Sequence, residues 1–272
     1  MNIKGRLILL DHPRVMGILN LTPDSFYSDS RMGTSIDHAV KTTGDMLASG
    51  ADIIDIGACS TRPGGKPCSE EEETKRLKQP LLTLRKHFPQ AIISVDTFRS
   101  GIARMAVEEC GADIINDVSG AEADHLMIET VAKLKVPYVI TDPGNHSGDF
   151  LSGVFKFLGR KLRELELAGI ADVIIDPGFG FGKSSQQNFV LLDSLDVLAA
   201  TFNLPLLVGV SRKSMIYNTL GCSPREALNG TTALNTVALM KGASILRVHD
   251  VKEAVETIRL VGALGNATSI EN

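Results

Sequence analysis

"DVIIDPGFGFGKS", residues 172–184, places an apolar run before a carboxylate, then glycines, a lysine and a serine. Two nucleotide-binding readings suggest themselves, and the spacing removes both. A P-loop requires glycine five positions before Gly182, where Pro177 has no N–H to give a phosphate. The glycines fall at 178, 180 and 182, so no GxGxxG dinucleotide fingerprint can be drawn. What is left is a buried strand that ends on Asp176 and turns tightly. Phe181 is then free to wall a cavity, and Lys183 reads best as a solvated loop charge.

The same grammar recurs along the chain. Apolar runs VMGILN (15–20), DIIDIG (52–57), AIISVD (91–96), DIIND (113–117), PYVIT (137–141), DVIID (172–176), PLLVGV (205–210) and SILRVH (244–249) alternate with helical patterns. Most of those helical stretches end on glycine, as C-caps do. Pro80 is expected to kink or break the second helix. Nearly continuous apolar strands suit a parallel sheet covered on both faces. Eight strand–helix units in one chain predict a single α/β domain over 1–272, a (β/α)₈ TIM barrel. An open doubly wound sheet is the alternative architecture.

The 272 residues carry 43% hydrophobic and 22% charged side chains and a formal net charge of −4. That balance provides no general attraction for nucleic acid or for an anionic membrane, so an anionic substrate needs a local cluster of cations. No apolar run approaches the roughly 18 residues of a membrane span. The opening "MNIKGRLILLDHPR" has no long hydrophobic region or small-residue cleavage site, and a reduced, cytoplasmic protein is expected. Cys59, Cys68, Cys110 and Cys222 lack CxxC spacing, which argues against structural zinc or a disulfide scaffold.

The strand ends carry the functional information. The runs finish in Asn20, Gly57, Asp96, Asn116, Thr141 and Asp176, then Gly209 leading to Ser211, and lastly Arg247 and His249. Any one of them reads equally as the N-cap of the next helix. Together, at the C-terminal mouth of a barrel, they read as a site. Asp96, Asn116, Asp176 and Lys213 suit a flat heterocycle presenting N–H donors. Asn20, Arg62, Arg247 and His249 suit an anion, although Arg62 alone is as well read as a solvated loop cation. The loop over 21–35, with Thr22, Asp24 and Ser25, and the "STRPGG" stretch at 60–65 have the length and polarity of lids.

Seven ordered motifs resemble the dihydropteroate synthase family: GILNLTPDSF (17–26), STRPGG (60–65), SVDT (94–97), INDVSG (115–120), DPGFGFGK (176–183), GVSRKS (209–214) and LRVHDV (246–251). The resemblance implies a barrel enzyme of folate biosynthesis and a sulfonamide target. Such an enzyme joins 6-hydroxymethyl-7,8-dihydropterin pyrophosphate to p-aminobenzoate and releases pyrophosphate. It assigns the pterin to Asp96, Asn116, Asp176, Phe181, Gly209 and Lys213. Pyrophosphate falls to Asn20, Thr61, Arg247 and His249, with Asn20 also holding Mg²⁺. p-Aminobenzoate falls to Phe26, Pro63 and Ser211. Asp24, Phe26, Thr61 and Arg62 close over the reacting centre and, with Lys213, make up the catalytic set. A homodimer is implied as well.

The chain departs from the family pattern twice. Ala58 and Cys59 replace Gly-Glu before STRPGG, and Cys59 reads as a small buried residue because no partner base is evident. "TDPGNHSGDF" (141–150) replaces a His-Met segment after the fifth strand, so His146 receives no role. Two other functions remain open at this level: a non-catalytic pterin-binding paralogue and a pterin-dependent methyltransferase barrel.

Overall fold

A computed structural model describes residues 1–21, 32–59 and 67–268, with the backbone alone for 32–35 and 266–268. The chain opens on an antiparallel hairpin, β1 (Asn2–Ile3) and β2 (Arg6–Leu7). Two-residue strands have no period to read, and the hairpin was not expected. Eight parallel strands follow: β3 (Arg14–Asn20), β4 (Ile53–Gly57), β5 (Ile92–Asp96), β6 (Ile114–Asp117), β7 (Tyr138–Thr141), β8 (Val173–Asp176), β9 (Leu207–Val208) and β10 (Ile245–Val248). Their order is β8-β7-β6-β5-β4-β3-β10-β9. A parallel bridge between Ile175 and Leu206 joins the two ends, with Ile175 N–H donating to Pro205 C=O at 2.9 Å. The sheet is therefore a barrel and not an open doubly wound sheet.

Each strand alternates its side chains between the barrel interior and the surrounding helices. Met16, Ile53, Ile114, Val139, Ile174, Leu207 and Ile245 meet inside as one apolar cluster, closed from below by Ile3 of the hairpin. The opposite parity, with Val15, Ile54, Val95, Ile115, Tyr138, Ile175 and Leu246, packs outward in the larger core. The helices covering it are α1 (Met32–Ala48), α2 (Glu70–His87), α3 (Ser100–Arg104), α4 (Met127–Leu134), α5 (Phe150–Leu167), α6 (Ser185–Asp193), α7 (Leu195–Phe202), α8 (Ser214–Leu220), α9 (Leu228–Met240) and α10 (Val251–Thr268). A π-helical turn over Met105–Glu109 extends α3. Among the described residues, no helix is long and apolar enough to cross a membrane.

Helix α2 is not broken at Pro80, one of the two outcomes expected there. Ser69 caps it by accepting from Glu72 N–H, four glutamates fill its first turn, and Arg85, Lys86 and His87 fill its last, all favourable to the helix dipole. It runs unbroken through Pro80, which is buried beside Leu77, Leu81 and Leu84. Burial of that apolar face outweighs the hydrogen bond that proline forfeits.

Candidate active site

The inward parity that makes the apolar floor makes the polar mouth two or four residues higher on each strand. Asn20, Gly57, Asp96 and Asn116 stand side by side across β3, β4, β5 and β6, and Thr141 stands beside Asp176 across β7 and β8. Arg247 lies two residues above Ile245 on β10, with His249 just beyond. Ser211 and Lys213 follow β9. All eight strand ends named from the sequence thus open on one mouth.

The centre of the site includes a residue that the strand-end reading missed. Asp55 of β4 is fully buried one layer below the mouth, on the same parity as Gly57. Arg247 Nε donates to Asp55 Oδ2 at 2.7 Å, Arg247 Nη2 donates to Asp96 Oδ2 at 2.8 Å, and Asn116 Nδ2 donates to Asp55 Oδ2 at 3.1 Å. A carboxylate inside an otherwise aliphatic strand was the available signal. Arg247, read as an anion grip, serves here as the countercharge of buried Asp55 and half-buried Asp96. Asp55 Oδ1 and Asn116 Oδ1 are buried without a hydrogen-bond partner among the described residues.

Burial dominates the titration of the mouth. It pushes Asp96 up to about 7, Asp55 adding to the rise and Arg247 opposing it. Burial raises Asp176 as well, against Lys213 and the Gly178 N–H that donates to Asp176 Oδ1 at 2.8 Å. The Lys213 ammonium is brought down to about 8 by burial, while Asp176 opposes the fall. Lys213 Nζ donates to Phe179 C=O and lies 4.9 Å from the Phe181 ring centroid. Gly209 sits between Arg247 and Lys213.

His249 differs from the cation that the sequence suggested. Burial and Arg247 bring it down to about 4, so it is neutral near pH 7. Ser211 Oγ accepts from His249 N–H at 3.2 Å and lies 3.0 Å from His249 Nδ1.

Asp96 and His249 make opposite contributions to stability over the same pH range. Asp96 is raised from 3.8, so its contribution is full below about pH 4 and is lost as pH rises through 7. His249 is lowered from 6.5, so its contribution is full above about pH 6.5 and is lost as pH falls through 4. Asp96→Asn is expected to reveal stability that climbs between about pH 4.5 and 6.5, and His249→Gln stability that declines there. Urea melts at several pH values check this; parallel profiles for the wild type and both variants would contradict it.

The connection after β7 departs from the family pattern and is tied to the glycine-rich turn by Asp142. The Asp142 and Lys183 side chains are both 0% exposed and paired at 3.0 Å. Lys183 Nζ also donates to the carbonyls of Asp142, Gly178 and Phe181. The solvated loop charge expected at Lys183 is therefore wrong: desolvation is compensated by a carboxylate and three carbonyls. His146 Nε2 lies 2.7 Å from the other Asp142 oxygen, so it serves its own loop. Gly178 takes φ +75°, and a Cβ there would overlap the Asp142 carbonyl.

Several expected residues, Thr22, Asp24, Ser25, Phe26, Thr61, Arg62 and Pro63, lie outside the described residues. Cys59, expected to be a small buried residue, is half-buried and faces Cys68.

Residues 16–249 match the family of pterin binding enzymes. The dihydropteroate synthase of Escherichia coli K12 is 41% identical over 271 residues, covering 96% of this chain and 94% of that protein. A Xanthomonas albilineans dihydropteroate synthase structure with 4-aminobenzoic acid superimposes with a TM-score of 0.91 at 38% identity, covering 97% of both chains. The same enzyme in complex with 7,8-dihydropteroate gives 0.88 at 37% identity, covering 97% of this chain and 98% of that one. Sequence and fold agree with these relatives along nearly the whole length, and the chain belongs to the dihydropteroate synthases of the pterin binding enzyme family.

Proposed function

We infer that this chain is a transferase of folate biosynthesis that joins 6-hydroxymethyl-7,8-dihydropterin pyrophosphate to p-aminobenzoate, giving 7,8-dihydropteroate and pyrophosphate. The observation that carries the site assignment is the set of buried acceptors in the mouth. Asp55 Oδ1 and Asn116 Oδ1 have no partner among the described residues, and Asp96 and Asp176 stand beside them. Buried acceptors demand donors, and the edge of a pterin presents N–H groups in a row. Asp96, Asn116, Asp176 and Lys213 hold that edge, with Phe181 against the ring and Gly209 beneath it. Asp24, Phe26, Thr61 and Arg62 are assigned to the reacting centre, and Ser211 with Phe26 and Pro63 to p-aminobenzoate.

The exocyclic carbon–oxygen bond breaks, pyrophosphate leaves with the bonding pair, and the arylamine nitrogen attacks the carbon and sheds a proton. The buried carboxylates stabilise the electron-poor ring in a water-poor mouth. Arg247 Nη1 and neutral His249 are assigned to the departing oxygens, and the family resemblance adds Thr61. Asn20 ends β3 half-buried at the mouth, and its amide oxygen is a hard donor. The nearby Asp55 and Asp96 are occupied by Arg247. One hard oxygen from the chain fits Mg²⁺, which takes most of its ligands from phosphate and water. An ion held there would supply charge neutralisation for the leaving diphosphate.

A cytoplasmic homodimer completes the proposal. Exposed Met240 on α9 and Leu260 and Leu264 on the adjoining α10 support an intersubunit contact.

Asp176→Asn exchanges an acceptor-only group for a mixed one, and about 1.5–3 kcal/mol of pterin affinity, on the order of 10- to 150-fold, is expected to be lost. Calorimetric titration of a pterin into both proteins reads it, and equal affinities would refute the ring assignment. The reaction is tested by pyrophosphate release from the pterin diphosphate. Release should depend on added p-aminobenzoate, and indifference to it would refute transfer.

A further inference from the structure

The end of β4 and the start of α2 bring together two sulfurs nine positions apart in the chain. Cys59 Sγ, Cys68 Sγ and a Glu73 carboxylate oxygen lie within 4.8 Å of one another. The surroundings of the two sulfurs differ. Cys68 N–H donates to Cys59 Sγ at 3.2 Å, and Arg99 Nη1 reaches the same sulfur at 4.0 Å. The Cys68 thiol instead points at the Ala58 carbonyl, 3.9 Å away. Two donors, one of them cationic, thus face Cys59, while Cys68 is itself a donor. Burial pushes the Cys68 thiol up to about 11, with Cys59 and Glu73 adding to the rise. Both cysteines are half-buried, unlike Cys110, so the pair lies near the surface.

A thiophilic metal ion is the competing occupant, and the charges oppose it. Glu73, the third ligand atom, is fully buried with both oxygens engaged: Thr97 Oγ1 donates to Oε1 at 2.8 Å, and Arg99 Nη1 donates to Oε2. A dication would have to displace that guanidinium and would still want a fourth donor. A pair of sulfurs beside a fixed cation is instead the environment of a reactive dithiol.

We propose that Cys59 and Cys68 form an oxidative modification site, in which Cys59 reacts with a small peroxide and Cys68 resolves it to an intramolecular disulfide. The Cys59 sulfur attacks one peroxide oxygen, the O–O bond breaks, and the other oxygen leaves as water with the thiol proton. Cys68 sulfur then attacks the resulting sulfenic acid. The S–O bond breaks, and the hydroxyl leaves as a second water with the Cys68 proton. In sum two thiols and hydrogen peroxide give one disulfide and two waters, the sulfurs losing two electrons and the peroxide gaining them. The bond requires the sulfurs at about 2.05 Å, which side-chain rotation must supply. The closed ring contains Thr61, Arg62 and Pro63 in sequence.

The test treats the full-length reduced protein with hydrogen peroxide, alkylates the remaining thiols and maps the peptides by mass spectrometry. Loss of alkylation at Cys59 and Cys68 together is expected, with a linked peptide two hydrogens lighter and recovery on dithiothreitol. Buried Cys110 should stay reduced throughout and take up alkylating reagent once the protein is denatured. In Cys68→Ser, Cys59 should stop at sulfenic acid and be trapped by dimedone. Two results would overturn the proposal. One is Cys59 and Cys68 both still alkylatable after peroxide has oxidised Cys222. The other is a reduced protein whose two thiols are protected by a stoichiometric metal that a chelator removes.

Discussion

Replacing Arg247 by methionine is expected to cost about 3–5 kcal/mol of stability and to lower the thermal midpoint by roughly 5–10 °C. The loss arises from what the guanidinium leaves behind. Asp55 and Asp96 share it inside the barrel, and without it two neighbouring acids have no countercharge. Asp96, already raised by burial and by Asp55, would then rise further and hold its proton near neutral pH. Pterin binding is therefore expected to weaken even for a ligand with no phosphate. A residue that only gripped an anion would spare such a ligand. Adding Asp55→Asn to Arg247→Met should restore part of the stability, because the two effects are coupled. Calorimetric melts of the three variants read the effect; an unchanged midpoint for Arg247→Met would show that the acids are compensated in some other way.

A comparable loss, about 3–5 kcal/mol, is expected for Lys183→Met. Asp142 would keep its bonds from Gly144 N–H and His146 but lose its buried cation. The carbonyls of Gly178 and Phe181 would lose their shared donor, loosening the turn that seats Asp176 and Phe181. The KM for the pterin substrate is accordingly expected to rise more than kcat falls, because the turn shapes binding and not the leaving group. Lys183→Arg should retain more stability than Lys183→Met. Steady-state kinetics with urea melts check both parts, and a fully stable Lys183→Met protein with unaltered KM would remove the clamp from the account.

The barrel was legible because its signal is local and repeated. Eight aliphatic runs, each with a polar end, need only a period of two to place Asp96, Asn116 and Asp176 inside one mouth. The unread parts depend on partners distant in the chain. Lys183 looked solvated because Asp142, which buries it, stands 41 residues earlier. His249 is held neutral by its burial in the barrel and by the charge of Arg247, neither of which shows in neighbouring letters. Asp55 was within reach, since it shares the inward parity of Gly57, but attention to strand ends passed over the layer beneath. At Pro80 the local rule was sound and packing outweighed it, and the Cys59–Cys68 pairing exists only once β4 and α2 are folded together.

The most direct measurement follows product. Wild-type protein with Mg²⁺, 6-hydroxymethyl-7,8-dihydropterin pyrophosphate and p-aminobenzoate, all at saturating levels, is resolved chromatographically over time. The expected result is 7,8-dihydropteroate accumulating mole for mole with pyrophosphate, the altered segment after β7 notwithstanding. A protein that binds the pterin diphosphate but yields no dihydropteroate at any substrate concentration would contradict the account.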